Sequence, residues 1–245
     1  MLLDLDGVQL LTDPVLRNRV AHLRRQVPID PTRYANIDAV LVSHLHFDHL
    51  DLPSLERLGR EVPLVVPRGG GSLLKRRGFR RVVEMEAGEE IQVGALTVCA
   101  THAEHNGARL PFGKEAAALG YVVKGSRRVY FAGDTDIFDG MAEIGRGLDV
   151  ALVPIWGWGP SVGTGHLDPR RAAEALRLLR PLLAIPIHWG TFAPLGLGRV
   201  RPALLADPPE AFRRHAAEVV PQVKVRVLGP GETLRLNAIS GGGPT

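Results

Sequence analysis

Ser43-His44-Leu45-His46-Phe47-Asp48-His49 follows directly on the short apolar run 38–43, Asp-Ala-Val-Leu-Val-Ser. Three imidazoles and a carboxylate crowd into six positions beside a run suited to a strand buried on both faces. Without a cation to bind, these polar groups would be costly next to an apolar strand. Imidazole and carboxylate are borderline donors that suit Zn(II), Mn(II) or Fe(II). His44, His46 and Asp48 recur with period two, so an extended segment turns them to one side and His49 to another. One short segment can then serve two neighbouring ions.

Working outward, the same context returns three times. Asp134 follows the apolar run 129–132 in Tyr130-Phe131-Ala132-Gly133-Asp134-Thr135. His188 follows the run 182–187 in Ile185-Pro186-Ile187-His188-Trp189-Gly190. His105 is expected just past a strand that ends near Ala100. In α/β sheets, strand ends are where sites assemble. Alone, an Asp in Gly-Asp-Thr is an ordinary turn residue and a single His an ordinary hydrogen-bonded group. Together with the 44–49 cluster they argue for one shared centre.

The rest of the pattern supplies a scaffold. Residues 1–11 read as a hairpin with Asp6-Gly7 as its turn. Runs 62–66, 149–155 and 182–187 are apolar strands, 90–100 alternates loosely, and 120–124 pairs with 127–132 around Gly125-Ser126. A helix is predicted over 169–180, with Asp168 as cap, Pro169 in its first turn and Pro181 beyond its end. A second is predicted over 208–219, capped by Asp207. Arg68-Gly69-Gly70-Gly71-Ser72 lacks the lysine and spacing of a phosphate-binding loop and reads as a strand-to-helix connection. Alternating strands and helices give an α/β layered protein, with one domain over 1–236 and a flexible tail over 237–245.

Composition narrows the function classes. With 245 residues and 45% hydrophobic content, a sizeable core can form. The formal charge of +4 comes from scattered arginines, with no run of five like charges, so a nucleic-acid arm is not indicated and a small-molecule substrate is. No apolar stretch reaches the length of a membrane span. Cys99 is the single cysteine, so no internal disulfide forms; a small buried core residue in a cytoplasmic protein is expected. A homo-oligomer is compatible with all of this.

In order, His44-x-His46-x-Asp48-His49, His105, Gly133-Asp134-Thr135 and His188 resemble the metal motifs of the metallo-β-lactamase superfamily, and Leu11-Thr12-Asp13-Pro14 is similar to its early aspartate motif. Ala103-Glu104-His105, Tyr130-Phe131-Ala132-Gly133-Asp134-Thr135 and Ile185-Pro186-Ile187-His188-Trp189-Gly190-Thr191-Phe192 resemble the branch holding the ascorbate-lactone hydrolase and N-acylphosphatidylethanolamine phospholipase D type enzymes. The resemblance covers residues 2–236. It implies a four-layer αββα sandwich with the site along one edge. It implies two divalent cations, zinc first with manganese or iron as alternatives. One would take His44, His46 and His105, the other Asp48, His49 and His188, with Asp134 bridging. His105 fits this set better than His102, because Ala-x-His with Arg109 four residues on matches the branch. Asp13 either holds the 44–49 loop by hydrogen bonds or simply forms a Thr-Asp-Pro turn. Superfamily members open with an extra strand ahead of the Asp6-Gly7 hairpin, and its loss would leave a sheet edge exposed.

The implied chemistry is hydrolysis. Two cations about 3.5–4 Å apart share a hydroxide and lower the pKa of its parent water. The expected substrate is a small phosphodiester, lactone or amide. Asp48 would relay a proton while remaining a ligand. His166, in Gly163-Thr164-Gly165-His166-Leu167-Asp168, would bind substrate or donate a proton, or else cap local turns. Trp156 and Trp158, in the loop expected to overhang the metals, either hold an apolar substrate or plug the core. His22 and His215 read as surface residues on helices. The rival readings are a nuclease of the same fold, an iron-dependent sulfur oxygenase, and a binding protein with a vestigial site. His46 speaks against the di-iron electron-transfer type, which carries glutamate there.

Overall fold

The computed structural model describes residues 1–109, 116–156 and 162–236. The chain begins with β1 (Leu2–Leu5), β2 (Val8–Thr12), β3 (Arg19–Val20), β4 (Leu23–Arg25), β5 (Ala39–Leu41), α1 (Leu52–Leu58), β6 (Leu64–Pro67), α2 (Gly71–Arg76) and β7 (Val82–Met85). It continues through β8 (Glu90–Val93), β9 (Leu96–Asn106), β10 (Ala117–Lys124), β11 (Arg128–Phe131), α3 (Met141–Ile144), β12 (Val150–Pro154) and α4 (Pro169–Leu179). Last come β13 (Leu183–Ile187), β14 (Phe192–Pro194), α5 (Leu197–Val200), α6 (Ala203–Val219) and β15 (Lys224–Val225).

Three sheets result: β1-β2-β5-β6-β7, β15-β13-β12-β11-β10-β9-β8, and the small β14-β4-β3. Successive strand residues face opposite ways, and here each face meets a different core. Leu41 of β5 and Leu152 of β12 point into the cluster shared by the two large sheets. Val40 and Val42 instead meet Leu52 and Leu55 of α1 and Leu74 of α2. Ala151 and Val153 meet Leu176 of α4 and Phe212 of α6. The layers are therefore helix, sheet, sheet, helix, the αββα sandwich the sequence implied. Strands apolar on both faces are what such a double cover requires. Each fully buried Leu or Val contributes about 1.5–3 kcal/mol to the hydrophobic term. Cys99 is buried on the helix side, as expected.

Local signals were read well at several points. Asp6 and Gly7 have φ +52 and +77, the two positive values a type I′ hairpin turn demands. Asp168 caps α4 by accepting from the Arg171 N–H, and Arg180 closes that helix in the left-handed region just before Pro181. β1 lies at an edge of its sheet.

Three expectations need correction. The run 90–100 is two strands, broken at Gly94 (φ +56) into an antiparallel hairpin, and β9 continues to Asn106. Consequently His105 sits within a strand, not beyond one. α6 starts at Ala203, so Asp207 lies inside it and is no cap; Pro208 and Pro209 are carried within the helix. Each proline removes one backbone donor, and the burial of both rings and of Phe212 and Ala216 offsets that loss. The segment 44–49 is not extended along its length: His49 and Leu50 N–H both return to the His46 carbonyl, at 3.1 and 2.8 Å, forming a turn. The tail 237–245, and Trp158 with its neighbours 157–161, lie outside the described residues.

Candidate metal centre

β11 and β13 run parallel through β12, and β5 lies in the other large sheet; the loops after the three strands meet at one place. These loops carry His44–His49, Asp134 and His188, and the end of β9 brings His105 to the same place. Four groups of ligand atoms form there, each mutually within 4.8 Å: His44/His46/His105, His44/His49/Asp134, Asp48/His49/His188 and His105/Asp134/His166. All seven residues proposed from sequence as ligands are thus brought together. His102 is not: it is exposed, beside Glu104 Oε2 at 3.3 Å. Asp48 groups with His49 and His188 and not, as period-two spacing implied, with His44 and His46, because the turn at 46–50 rotates it away.

Backbone and carboxylate acceptors fix the imidazoles. Asp13 (φ +41) accepts from the Ser43 N–H through Oδ1 at 2.7 Å and from the Ser43 hydroxyl through Oδ2 at 2.6 Å. With its proton spent there, Ser43 Oγ accepts from His44 Nδ1 at 2.9 Å. His49 Nδ1 donates to Asp13 Oδ2 at 2.7 Å, His105 Nδ1 to the Gly165 carbonyl at 2.9 Å, and His188 Nδ1 to the Trp156 carbonyl at 2.5 Å. Each of these four rings therefore carries its proton on Nδ1 and turns Nε2 inward, the outer support that metal-binding histidines use. The inward atoms face one another: His44 Nε2 to His46 Nδ1 is 2.9 Å, His105 Nε2 to His46 Nδ1 3.4 Å, and His188 Nε2 to His49 Nε2 3.3 Å. Nitrogens bound to one tetrahedral zinc at about 2.0–2.1 Å lie about 3.3 Å apart. Donor type and spacing both fit a metal ion.

Asp134 lies between the groups. Its Oδ2 is 3.2 Å from His49 Nε2 and 4.0 Å from His44 Nε2, and its Oδ1 is 3.5 Å from His188 Nε2. Yet Oδ1 is buried with no hydrogen-bond partner. A buried carboxylate oxygen in that condition calls for a cation. His166 flanks the group, with Nε2 3.8 Å from Asp134 Oδ2 and its own Nδ1 buried without a hydrogen-bond partner.

The electrostatics divide the site. Burial, then the neighbouring His49, push His44 well below the usual histidine range, and burial pushes His105 down to about 4 and lowers His46. For His49, burial acts in the same direction, but Asp134, Asp48 and Asp13 outweigh it and raise it well above normal. His188 is raised likewise, Asp134 overcoming burial. Burial would raise both carboxyls, but His49 beside Asp48, and His188 and His49 beside Asp134, hold them well below the carboxylate range.

Strain and close approach are confined to a few positions. His188 adopts φ +61, a conformation rare for a non-glycine residue and one that clusters at functional sites. Gly133 (φ +62) abuts Ser43, where an added Cβ would lie 2.6 Å from Ser43 Cβ. Only glycine lets the Asp134 loop approach the His44 loop this closely.

Sequence reading missed several supporting groups. The carbonyls of Trp156 and Gly165 carry no sequence signal, since every residue has one. Ser43 was visible only as the end of an apolar run. Arg109 donates through Nη1 to the carbonyls of Leu45 and Leu50, each at 3.0 Å, bracketing the ligand turn. Trp156 is buried in the helix-side core, which fits the core-plugging alternative. His22 lies in the β3–β4 turn, not on a helix.

Residues 9–189 match the family model described as beta-lactamase superfamily domain. The chain is 32% identical over 245 residues to the UPF0173 metal-dependent hydrolase of Methanopyrus kandleri, covering 94% of this chain and 93% of that protein. It is also 32% identical over 241 residues to the UPF0173 metal-dependent hydrolase of Rubrobacter xylanophilus, covering 93% and 89%. Among solved structures, it superposes with a TM-score of 0.71 and 27% identity on Igni18, a novel metallo hydrolase from the archaeon Ignicoccus hospitalis, covering 95% of this chain and 92% of that one. Fold, donor set and relatives agree: the chain belongs to the β-lactamase superfamily, within the UPF0173 metal-dependent hydrolase family.

Proposed function

We propose that this protein hydrolyses a small phosphodiester, lactone or amide with two divalent cations, zinc before manganese or iron. His44, His46 and His105 would hold one, Asp48, His49 and His188 the other, and Asp134 would bridge them. The observation that carries this is Asp134 Oδ1, a buried carboxylate oxygen with no hydrogen-bond partner, standing between two clusters of inward-facing nitrogens. When bound, such cations supply Lewis acidity that draws the pKa of a water towards neutrality and polarises a substrate oxygen.

The chain's own residues orient and move protons around that chemistry. Asp13 and the carbonyls of Gly165 and Trp156 keep the rings in one tautomer. Asp48, half-buried at the cleft, takes up the proton released on attack. His166, beside Asp134 and open to the same cleft, supplies a proton to the leaving group. The motifs resemble the branch holding the ascorbate-lactone hydrolase and N-acylphosphatidylethanolamine phospholipase D type enzymes, a resemblance that favours a lactone or phosphodiester. A single free cysteine is in keeping with a cytoplasmic setting.

The test is a panel of bis-aryl phosphodiesters, lactones and β-lactams offered to metal-replete protein, with metal content measured alongside. Turnover of at least one class is expected, with loss of both activity and metal in His44→Ala. Undiminished activity in that variant would contradict the reading.

A further inference from the structure

The cleft beside His46 and His105 holds about 520 Å3, a volume typical of small-molecule sites, and part of its wall comes from residues the metal centre does not use. One side is the β3–β4 hairpin. Val20 pairs with Leu23, so Ala21-His22 is its two-residue tip. Phe47 and Arg109 line the same cleft.

The hairpin is held firmly for so small an element. β4 pairs with β14, and the Leu195 N–H donates to the His22 carbonyl at 3.2 Å. Arg25 donates from Nε to the Arg17 carbonyl at 3.0 Å and from Nη2 to the Val15 carbonyl, and its guanidinium lies 4.5 Å from the centre of the Phe192 ring. Val20 and Leu23 are buried with Val15 and Phe192. Ala21 takes φ +47 at a hairpin position that favours glycine. The left-handed region costs a non-glycine residue roughly 1–2 kcal/mol, and the pinned base is what sustains it. Five described non-glycine residues have positive φ. Asp6 serves a turn and Arg180 a helix end, while Asp13 and His188 serve the metal centre. Ala21 holds the rim of the cleft.

Phe47 is 49% exposed, although it lies in the ligand turn between His46 and Asp48. The Arg109 guanidinium sits 4.2 Å from the centre of its ring, and Arg109 is itself tied to the Leu45 and Leu50 carbonyls. That stack fixes the ring while leaving much of it uncovered. A large apolar ring left uncovered at the rim of a cleft is available to a ligand that enters it. With Val20, Leu23 and Ala108 also lining the space, and Arg109 committed to carbonyls, the cleft offers an apolar surface.

We propose that this cleft takes an apolar acyl or aryl arm of the substrate, gripped between Phe47 and the hairpin tip, so that Phe47 and His22 set which arm lengths are accepted. The substrate class is then medium-chain or aromatic esters, lactones or amides. This rests on the hydrolase reading above and adds its specificity.

The test uses zinc-replete protein and two readouts. Calorimetry compares octanoate with acetate as bound probes, and hydrolysis compares the p-nitrophenyl octanoate and acetate esters. Octanoate should bind at least about tenfold tighter than acetate, as burial of even a few more methylenes requires. Phe47→Ala should remove most of that preference, Phe47→Leu should restore part of it, and His22→Ala should lower the octanoyl-to-acetyl ratio of kcat/KM several-fold. Phe47 is half exposed, and zinc content and thermal melting of each variant check that the ligand turn is intact. Equal binding of the two probes by the unaltered protein overturns the proposal, as does a preference that survives Phe47→Ala. A Phe47-dependent preference without turnover of either ester supports the cleft assignment, and the phosphodiester, lactone and β-lactam panel then decides the hydrolase reading separately.

Discussion

The His44/His46/His105 group and the Asp48/His49/His188 group sit side by side, are built from nearly the same residue types, and have opposite electrostatics. The first contains no carboxylate, and burial drives its imidazoles down, His105 to about 4. The second carries Asp48 and lies against Asp13 and Asp134, so His49 is raised well above normal. His46 and His105 of the first line the cleft with Phe47 and His22, His49 and His188 of the second line a cavity of about 450 Å3, and Asp48 lines both. The difference teaches that the carboxylates around a group set its charge balance. An all-imidazole donor set leaves a cation its full charge and so a strong Lewis acid, whereas carboxylates at and around a site hold it tightly and temper it. On the two-cation reading, the first group suits the polarisation of a substrate oxygen and the second suits anchoring.

The sharpest way to break this contrast is to remove what joins its halves. Asp134→Ala should strip metal from both groups and reduce turnover by at least about a thousandfold, because both cations would lose a shared ligand and with it the Lewis acidity the reaction needs. Elemental analysis showing two equivalents still bound would end the bridging assignment. Separating the halves comes next. On this reading His105→Ala and His49→Ala should each leave about one equivalent of metal. The equivalent that survives in His105→Ala should be the harder to remove with a chelator, because it keeps the carboxylates. Equal chelator sensitivity in the two variants would erase the distinction. The smallest effect belongs to support outside the donors. Asp13→Asn keeps the shape but weakens the hold on His49 and Ser43, and should cost about 10–100-fold in affinity for the second cation with little change in the first. Affinity lost equally at both, in a metal titration, would mean that Asp13 shapes the whole loop and not His49.

Much of this was legible along the chain. The 44–49 cluster, Asp134 and His188 announced themselves by residue type and by place, each directly after an apolar strand run. The Asp6-Gly7 turn and the Asp168 cap followed from local chemistry that tertiary contacts do not override. Where local rules met long-range packing they failed. Period two placed Asp48 with His44 and His46, but the turn closed on the His46 carbonyl sends it to His188, 140 positions later. Asp207 looked like a helix cap, yet burial of Pro208 and Pro209 lets α6 begin earlier. His22 had charged neighbours in sequence and a metal-side cleft in space.

By itself the sequence determined which imidazoles and carboxylates follow apolar runs, the layered α/β class and the superfamily, because these depend on residue chemistry and on periodicities only a few positions long. The family resemblance already implied how these side chains divide into two groups; tertiary structure alone decided which nitrogen each ring presents and what walls the cleft. Those outcomes rest on distances between residues far apart in the chain: the Trp156 and Gly165 carbonyls that orient His188 and His105, the Gly133 backbone that slips against Ser43, and the hairpin that brings His22 into the cleft that Phe47 lines.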